Sequence, residues 1–113
     1  MAKRNEAAKD GIERGTGNVF ADLGYADAKE RQTKLRLAFA INQIIEQRKL
    51  TQAKAATALG LPQPKVSLLS RYTLEGFSVE RLMTFLTLLD QDVEISIKNS
   101  SWRSNGKITV ITA

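Results

Sequence analysis

Residues 51–71, TQAKAATALGLPQPKVSLLSR, contain turn residues that divide them into two predicted short helices, and this pair determines the expected fold. Thr51 can accept a hydrogen bond from an N–H group of the first turn and so cap the first helix. Gly60 follows a helix-forming run and can adopt the left-handed conformation that ends it. The two prolines that follow are tolerated only in the first turn of a helix. The second helix is therefore expected to begin at about Gln63 and to run toward Arg71.

The second helix of this pair is expected to carry a polar, basic face. Val66 and Leu69 are three residues apart and share its inner side, and the small Ala56 lets the two helices cross closely. The side chains expected to point partly outward are Gln63, Lys65, Ser67, Leu68 and Arg71. A hydrogen-bonding, positively charged face of this size fits the major groove of DNA.

Five positions of the stretch resemble the helix-turn-helix of the phage-repressor-like regulators, the XRE family of the λ and 434 repressors. These positions are Gln52, Ala56, Gly60, Val66 and Leu69. The resemblance implies a mainly α, λ-repressor-like bundle of four to five helices that binds double-stranded operator DNA. The chain departs from the family's pattern at Pro62, where a Ser or Thr usually caps the recognition helix.

The outward residues are expected to divide between bases and phosphates. Gln63 and Ser67 are four residues apart and face the groove, so they are assigned to base edges. Lys65 and Arg71 flank them, and Gln52 lies at a helix N-terminus, so these three are assigned to phosphates.

Positive charge is concentrated around the same stretch. The chain has a net charge of +5, but residues 31–74 hold eight Lys or Arg and one Glu, a net charge of +7. Residues 15–30 and 75–92 are net acidic, with charges of −2 and −3. Because phosphate neutralisation needs Lys and Arg, this distribution supports DNA as the partner.

The composition argues against several other classes of protein. The chain has no Cys and no His, and it shows no paired carboxylates, phosphate-cradling glycines or metal-ligand clusters. We therefore expect no enzyme, no catalytic residue, no metal site and no cofactor. No window approaches the roughly 18 apolar residues of a membrane span, and no signal peptide precedes the domain. A cytoplasmic protein without membrane contact is expected.

Residues 1–30 are expected to form an N-terminal arm, with disorder or a frayed helix over residues 1–16. Residues 17–30, GNVFADLGYADAKE, are richer in apolar side chains, which are Val19, Phe20, Leu23 and Tyr25. Two interpretations, which are not exclusive, remain open. The segment either packs as a strap on the helical core or docks on a basic partner.

A DNA-binding domain is expected over residues 31–91. Residues 30–48 show the 3, 4 spacing of an amphipathic helix. Ser78 can cap a last helix over residues 79–90. The apolar positions of that helix exceed one stripe, since Phe85 and Leu88 spill onto another face, which favours a subunit contact.

Residues 92–113 are expected to form a C-terminal β element. Residues 92–98 alternate with period two, and residues 107–112 are a second candidate strand that could close a hairpin. Because an isolated hairpin is marginal in water, these strands are expected to pair with a second copy or lie on helices. Trp102, in the loop between the two candidate strands, either packs within the protein or contacts a partner. A homodimer is predicted through Phe85, Leu88, Val93, Ile95 and Ile97.

Over residues 17–97 the chain resembles, more closely, the HigA-type antitoxins. The resemblance rests on GNVFADLGYADAKE, LTQAKAATALGLPQPKVSLL and FSVERLMTFLTLLDQDVEI. It implies a dimeric repressor of its own operon that binds a RelE/HigB-like ribonuclease toxin, and the arm's four apolar residues are the predicted toxin contacts. A stand-alone repressor without a toxin is the alternative hypothesis, and an enzyme or structural adaptor is a third.

Overall fold

The computed structural model of the protein describes the backbone of residues 16–101 and 105–112, and the side chains from residue 27 onward. Two compact units divide the chain, Met1–Glu30 and Arg31–Ala113. Within the described residues there are four helices: α1 (Thr16–Gln47), α2 (Gln52–Leu59), α3 (Gln63–Ser70) and α4 (Val79–Leu88).

Helix α1 is longer than the sequence analysis predicted. It begins at Thr16 rather than near residue 30, so the backbone of residues 17–30 is helical. Gly17 and Gly24 each lower the stability of a helix by only about 1 kcal/mol relative to alanine. A helix that is already formed by the packed residues after position 30 can extend through such positions. The arm's predicted contact side chains, and residues 1–15, lie outside the described residues.

The helix starts follow the predicted local chemistry. The Thr51 hydroxyl accepts from the Lys54 N–H at 3.1 Å, and the Ser78 hydroxyl accepts from the Arg81 N–H at 3.0 Å. Pro62 occupies the position before α3 without a side-chain cap, as predicted from its sequence. Both caps and the uncapped start of α3 are therefore confirmed.

One core joins the helices of the second unit. Its buried apolar side chains are Leu37, Ala38, Ile41, Ala55, Ala56, Leu59, Leu61, Val66, Leu69, Leu74, Phe77, Leu82, Phe85, Leu86 and Leu89. Leu74 and Phe77 come from the loop between α3 and α4, which the sequence analysis did not assign to the core. Phe77 is among the largest fully buried side chains, so this loop is part of the scaffold.

Phe85 is a correction to the predicted dimer surface. Its side chain is only 2% exposed, and its ring meets the Phe77 ring edge-to-face at a centroid distance of 6.0 Å. At Phe85, the second apolar face of α4 is therefore covered by the chain's own α3–α4 loop. Leu88 does reach the surface and is 49% exposed.

The predicted C-terminal strands are not seen in the single chain, since residues 92–101 and 105–112 contain no strand. A two-stranded ribbon is marginal in water, and neither segment has a sheet beside it to join. Val93 and Val110 pack against the core, while Ile95 and Ile97 are 74% and 93% exposed. An open groove in the second unit is lined by Gln32, Leu35, Arg36, Phe39, Val110 and Thr112. Trp102 lies outside the described residues.

All four helices end in the same way, with one residue in the left-handed conformation. These residues are Lys49, Gly60, Tyr72 and Asp90, with φ between 55° and 67°. Each donates its N–H to the carbonyl three residues back, and the next residue donates to the carbonyl five residues back. This is the Schellman arrangement, which favours glycine, yet three of the four positions carry a larger side chain.

The left-handed residues at these helix ends predict one stabilising and one destabilising substitution. Lys49→Gly should raise the free energy of unfolding by about 0.5–1 kcal/mol, because glycine adopts a positive φ without strain. Gly60→Ala should lower it by about 1 kcal/mol through backbone strain alone, since a Cβ there meets nothing within 4 Å.

Urea unfolding measures both changes, and Lys49→Ala is the matched control, because it removes the lysine side chain but keeps the strain. A Lys49→Gly chain no more stable than Lys49→Ala would contradict this account.

Candidate DNA-binding interface

Helices α2 and α3 form a compact pair that is held by small and branched side chains. Ala55 and Ala56 are buried on α2, and Val66 and Leu69 are buried on α3. Helix α2 also packs against α4. Because alanine adds little bulk, it permits a close approach of the two packed helices, and left-handed Gly60 ends α2 before α3 begins.

Helix α1 fixes the far end of α3 by a hydrogen bond. The Asn42 side-chain amide donates to the Leu69 carbonyl at 3.1 Å, across 27 residues of chain. Leu69 is itself fully buried. One side of α3 is therefore tied to the core along its length, which leaves the opposite side to face outward.

The outward face of α3 contains the predicted base-contacting residues. Gln63 is exposed and Ser67 is half-buried one turn later, with Leu68 half-buried beside them. Over the described part of the chain, no hydrogen bond uses the Gln63 amide or the Ser67 hydroxyl. Both groups can therefore donate to and accept from base edges without breaking a bond in the fold.

The predicted phosphate contacts differ in how the fold holds them. Gln52 is exposed at the first position of α2, whose N–H groups point outward with a partial positive charge. The Arg71 guanidinium leans on its own helix, donating from Nε to the Ser67 carbonyl at 3.3 Å. The Lys65 ammonium lies 5.6 Å from the centroid of the Phe77 ring. Both cations lie on or just after α3, the helix that carries the residues predicted to contact bases.

Arg48 belongs to the scaffold, although it lies in the basic segment. Its guanidinium donates to the Leu89 carbonyl at 2.7 Å and lies 3.6 Å from the Asp90 carboxylate. The bond satisfies a carbonyl at the end of α4, where a cation is also favoured by the helix dipole. This role has only an indirect signal in the sequence, since Arg48 continues the inner 3, 4 spacing just after the end of α1.

Other kinds of site are missing from the described residues. They contain no group of three or more His, Cys, Asp or Glu side chains placed to hold a metal ion. Within the same part of the chain, no helix has the length and apolarity to cross a membrane.

Comparison with known proteins agrees with this geometry. A family model described as a helix-turn-helix domain matches residues 19–98. The chain is also similar to a solved structure named as an XRE family transcriptional regulator, at 59% sequence identity and a TM-score of 0.74. That similarity covers 77% of this chain and 99% of the other. This chain is an XRE-type helix-turn-helix regulator. No curated protein matches it.

Membership of this family supports DNA binding by the helix-turn-helix that contains α3. The XRE-type regulator binds DNA, and α3 occupies the place of the recognition helix in its helix-turn-helix. This helix and its outward residues are predictable from the sequence. The contacts that hold the helix are not, because they join residues far apart in the chain.

Mutation can separate the residues predicted to contact bases from those predicted to contact phosphates. Gln63→Ala and Ser67→Ala should each weaken binding to the operator by about 1–3 kcal/mol and reduce the preference for it over unrelated DNA. Arg71→Ala should weaken binding to all sequences alike and lower the slope of log K against log salt by about one.

Fluorescence anisotropy with DNA from upstream of the protein's own coding sequence, and with a scrambled duplex, measures both effects. Thr87→Ala, an exposed change at the far end of α4, is the control and should leave affinity unchanged. Equal losses on both duplexes for Ser67→Ala would contradict its assignment to bases.

Proposed function

We propose that this XRE-type regulator is the antitoxin of a type II toxin–antitoxin pair. It binds its operator as a homodimer and represses its own operon. It also binds and neutralises a RelE/HigB-like ribonuclease toxin, and it has no catalytic activity of its own. The observation that carries the proposal is the division of the chain into two units, Met1–Glu30 and Arg31–Ala113. The second contains the helix-turn-helix, and residues 15–30 of the first are net acidic.

Charge supports a toxin-binding role for the N-terminal arm. Residues 15–30 are net −2, whereas residues 31–74 are net +7. A ribonuclease that holds RNA must present a basic surface, which an acidic segment complements. The side chains of Asp27 and Glu30 are exposed on α1, where a partner can reach them.

The position of the arm in the chain supports the same role. It precedes the helix-turn-helix, so a protein bound there need not displace α3 from DNA. Four apolar residues within a short acidic segment are more than a solvated tail needs, and they supply the anchors that dominate protein interfaces. They are Val19, Phe20, Leu23 and Tyr25.

Removing these anchors should separate the two functions. Phe20→Ala and Leu23→Ala should each abolish or strongly reduce neutralisation of the toxin encoded by the neighbouring gene, while DNA affinity stays unchanged. Asn18→Ala, in the same segment, is the control. Growth of cells that co-express toxin and antitoxin measures neutralisation.

Truncation of the N-terminal arm tests whether the toxin contact lies there. If a chain of residues 31–113 rescues growth as fully as the whole chain, the toxin contact lies elsewhere. If no toxin lies beside the gene and none binds, the protein is a stand-alone repressor.

Assembly as a dimer follows from the geometry of DNA. One helix-turn-helix covers only a few base pairs, so such proteins gain affinity by binding two half-sites with two-fold symmetry. The self-complementary surface that we assign to this contact is the exposed segment of residues 92–98 together with Leu88. Phe85 is not part of it, because it is buried.

The sequence of residues 92–98 favours one pairing between copies. An antiparallel pair centred on Ile95 places Val93 opposite Ile97 on one face, and Asp92 opposite Lys98 on the other. Val93 is half-buried against the core, so each strand would be anchored at its start. Ile95 and Ile97, which are exposed in the single chain, would be covered in the pair.

A charge at the centre of this pair should dissociate the dimer. Ile95→Lys places two ammonium groups opposite each other, so light scattering should fall from about twice 12.5 kDa to 12.5 kDa at micromolar concentration. Ile108→Lys, an equally exposed isoleucine outside the segment, should leave the dimer intact.

Charge reversal tests the register of the antiparallel pair, in which Asp92 lies opposite Lys98. Lys98→Asp should weaken the dimer, and adding Asp92→Lys should restore it. A wild-type chain that scatters as a monomer would contradict the dimer, and a dimer indifferent to Ile95→Lys would contradict this interface.

A further inference from the structure

We infer that Phe77 is a positioning residue for DNA binding, whose ring holds the Lys65 ammonium where it meets a phosphate. The ammonium lies 5.6 Å from the ring centroid, a distance at which the negative face of an aromatic ring attracts a cation. Lys65 is on the recognition helix, and Phe77 is 12 residues later at the end of the following loop. The inference rests on the DNA-binding role of α3.

The ring that holds this cation is itself fixed. Phe77 is only 1% exposed, and the edge-to-face contact with Phe85 sets its orientation. Arg81 lies over the Phe85 ring at 5.5 Å. Two cations therefore bracket an aromatic pair, and the position of Lys65 is determined by the core rather than by its own flexible stem.

Gly76 leaves space for the ammonium beside the ring. A Cβ atom at this position would lie 3.4 Å from the Lys65 Nζ. That is van der Waals contact, so a Cβ alone is accommodated, and the further carbons of a larger side chain at residue 76 would crowd the ammonium from the side. Gly76 is exposed and has no positive φ, so a substitution there does not strain the backbone.

An aromatic ring and a carboxylate can both hold an ammonium group, but only the ring leaves its charge and N–H donors available. Among the described residues, no hydrogen bond or ion pair uses the Lys65 ammonium, so its N–H groups and its full charge remain for a phosphate. A carboxylate would hold the ammonium equally well but would neutralise it and occupy its donors. The ring thus limits the rotamers of a long side chain before DNA arrives, which reduces the ordering that binding requires.

A double-mutant cycle tests this coupling in the full-length chain. Lys65→Met removes the charge and keeps the stem, and Phe77→Leu removes the ring and keeps an apolar core residue. Phe77→Leu should weaken DNA binding about two- to fivefold when Lys65 is present, the affinity equivalent of one partly exposed cation–π contact. In the Lys65→Met background it should have no effect on affinity.

A second variant keeps the test independent of core stability. Gly76→Val leaves Phe77 in place and displaces only the ammonium, so it should give a similar loss that also disappears with Lys65→Met. Lys65→Arg, whose planar cation can stack on the same ring, should retain the affinity and the sensitivity to Gly76→Val. Urea unfolding of every variant confirms that binding is measured on folded protein.

The salt dependence separates positioning from folding. Lys65→Met should lower the slope of log K against log salt by about one, and Gly76→Val should lower it by a smaller amount. If Phe77→Leu and Gly76→Val cause the same loss with and without Lys65, the ring acts only on the fold and the inference is wrong. A wild-type chain that binds no DNA would overturn the DNA-binding function itself.

Discussion

The close crossing of α2 and α3 is the contact on which the rest of the structure depends. Ala55 and Ala56 on α2 and Val66 and Leu69 on α3 are all buried in one core, in which the two helices pack against each other. Larger side chains on α2 would push α3 outward and change the face that it presents. The Asn42 bond to the Leu69 carbonyl then fixes the far end of the helix, so the core determines both the position and the direction of α3.

Side chains in the basic segment have different tasks, although their charges are equal. Arg48 bonds a carbonyl at the end of α4 and holds the scaffold. Lys65 is held by a ring that leaves its charge intact. The outward placement of Gln63 and Ser67 was predictable from helical periodicity, because it depends on neighbours along one helix. The Lys65 contact was not predictable, since it joins a helix to a loop.

Local chemistry explains which parts of the fold were predictable from the sequence. Thr51 and Gly60 determine where α2 begins and ends through bonds within a few residues, and both predictions are confirmed. Phe85 was misassigned because periodicity cannot show that Phe77, from another segment, covers it. The alternation of residues 92–98 indicates a strand only where a partner strand is present, and the single chain does not supply one.

The most direct test of the account is a titration of ¹⁵N-labelled full-length protein with a duplex from upstream of its own coding sequence, followed by amide chemical shifts. If the crossing of α2 and α3 presents α3 to DNA, the largest saturable changes should fall on Gln52 and residues 63–71. Residues 107–112 should change little. Saturable changes confined to the C-terminal segment or to α4, with α3 unaffected, would contradict the account.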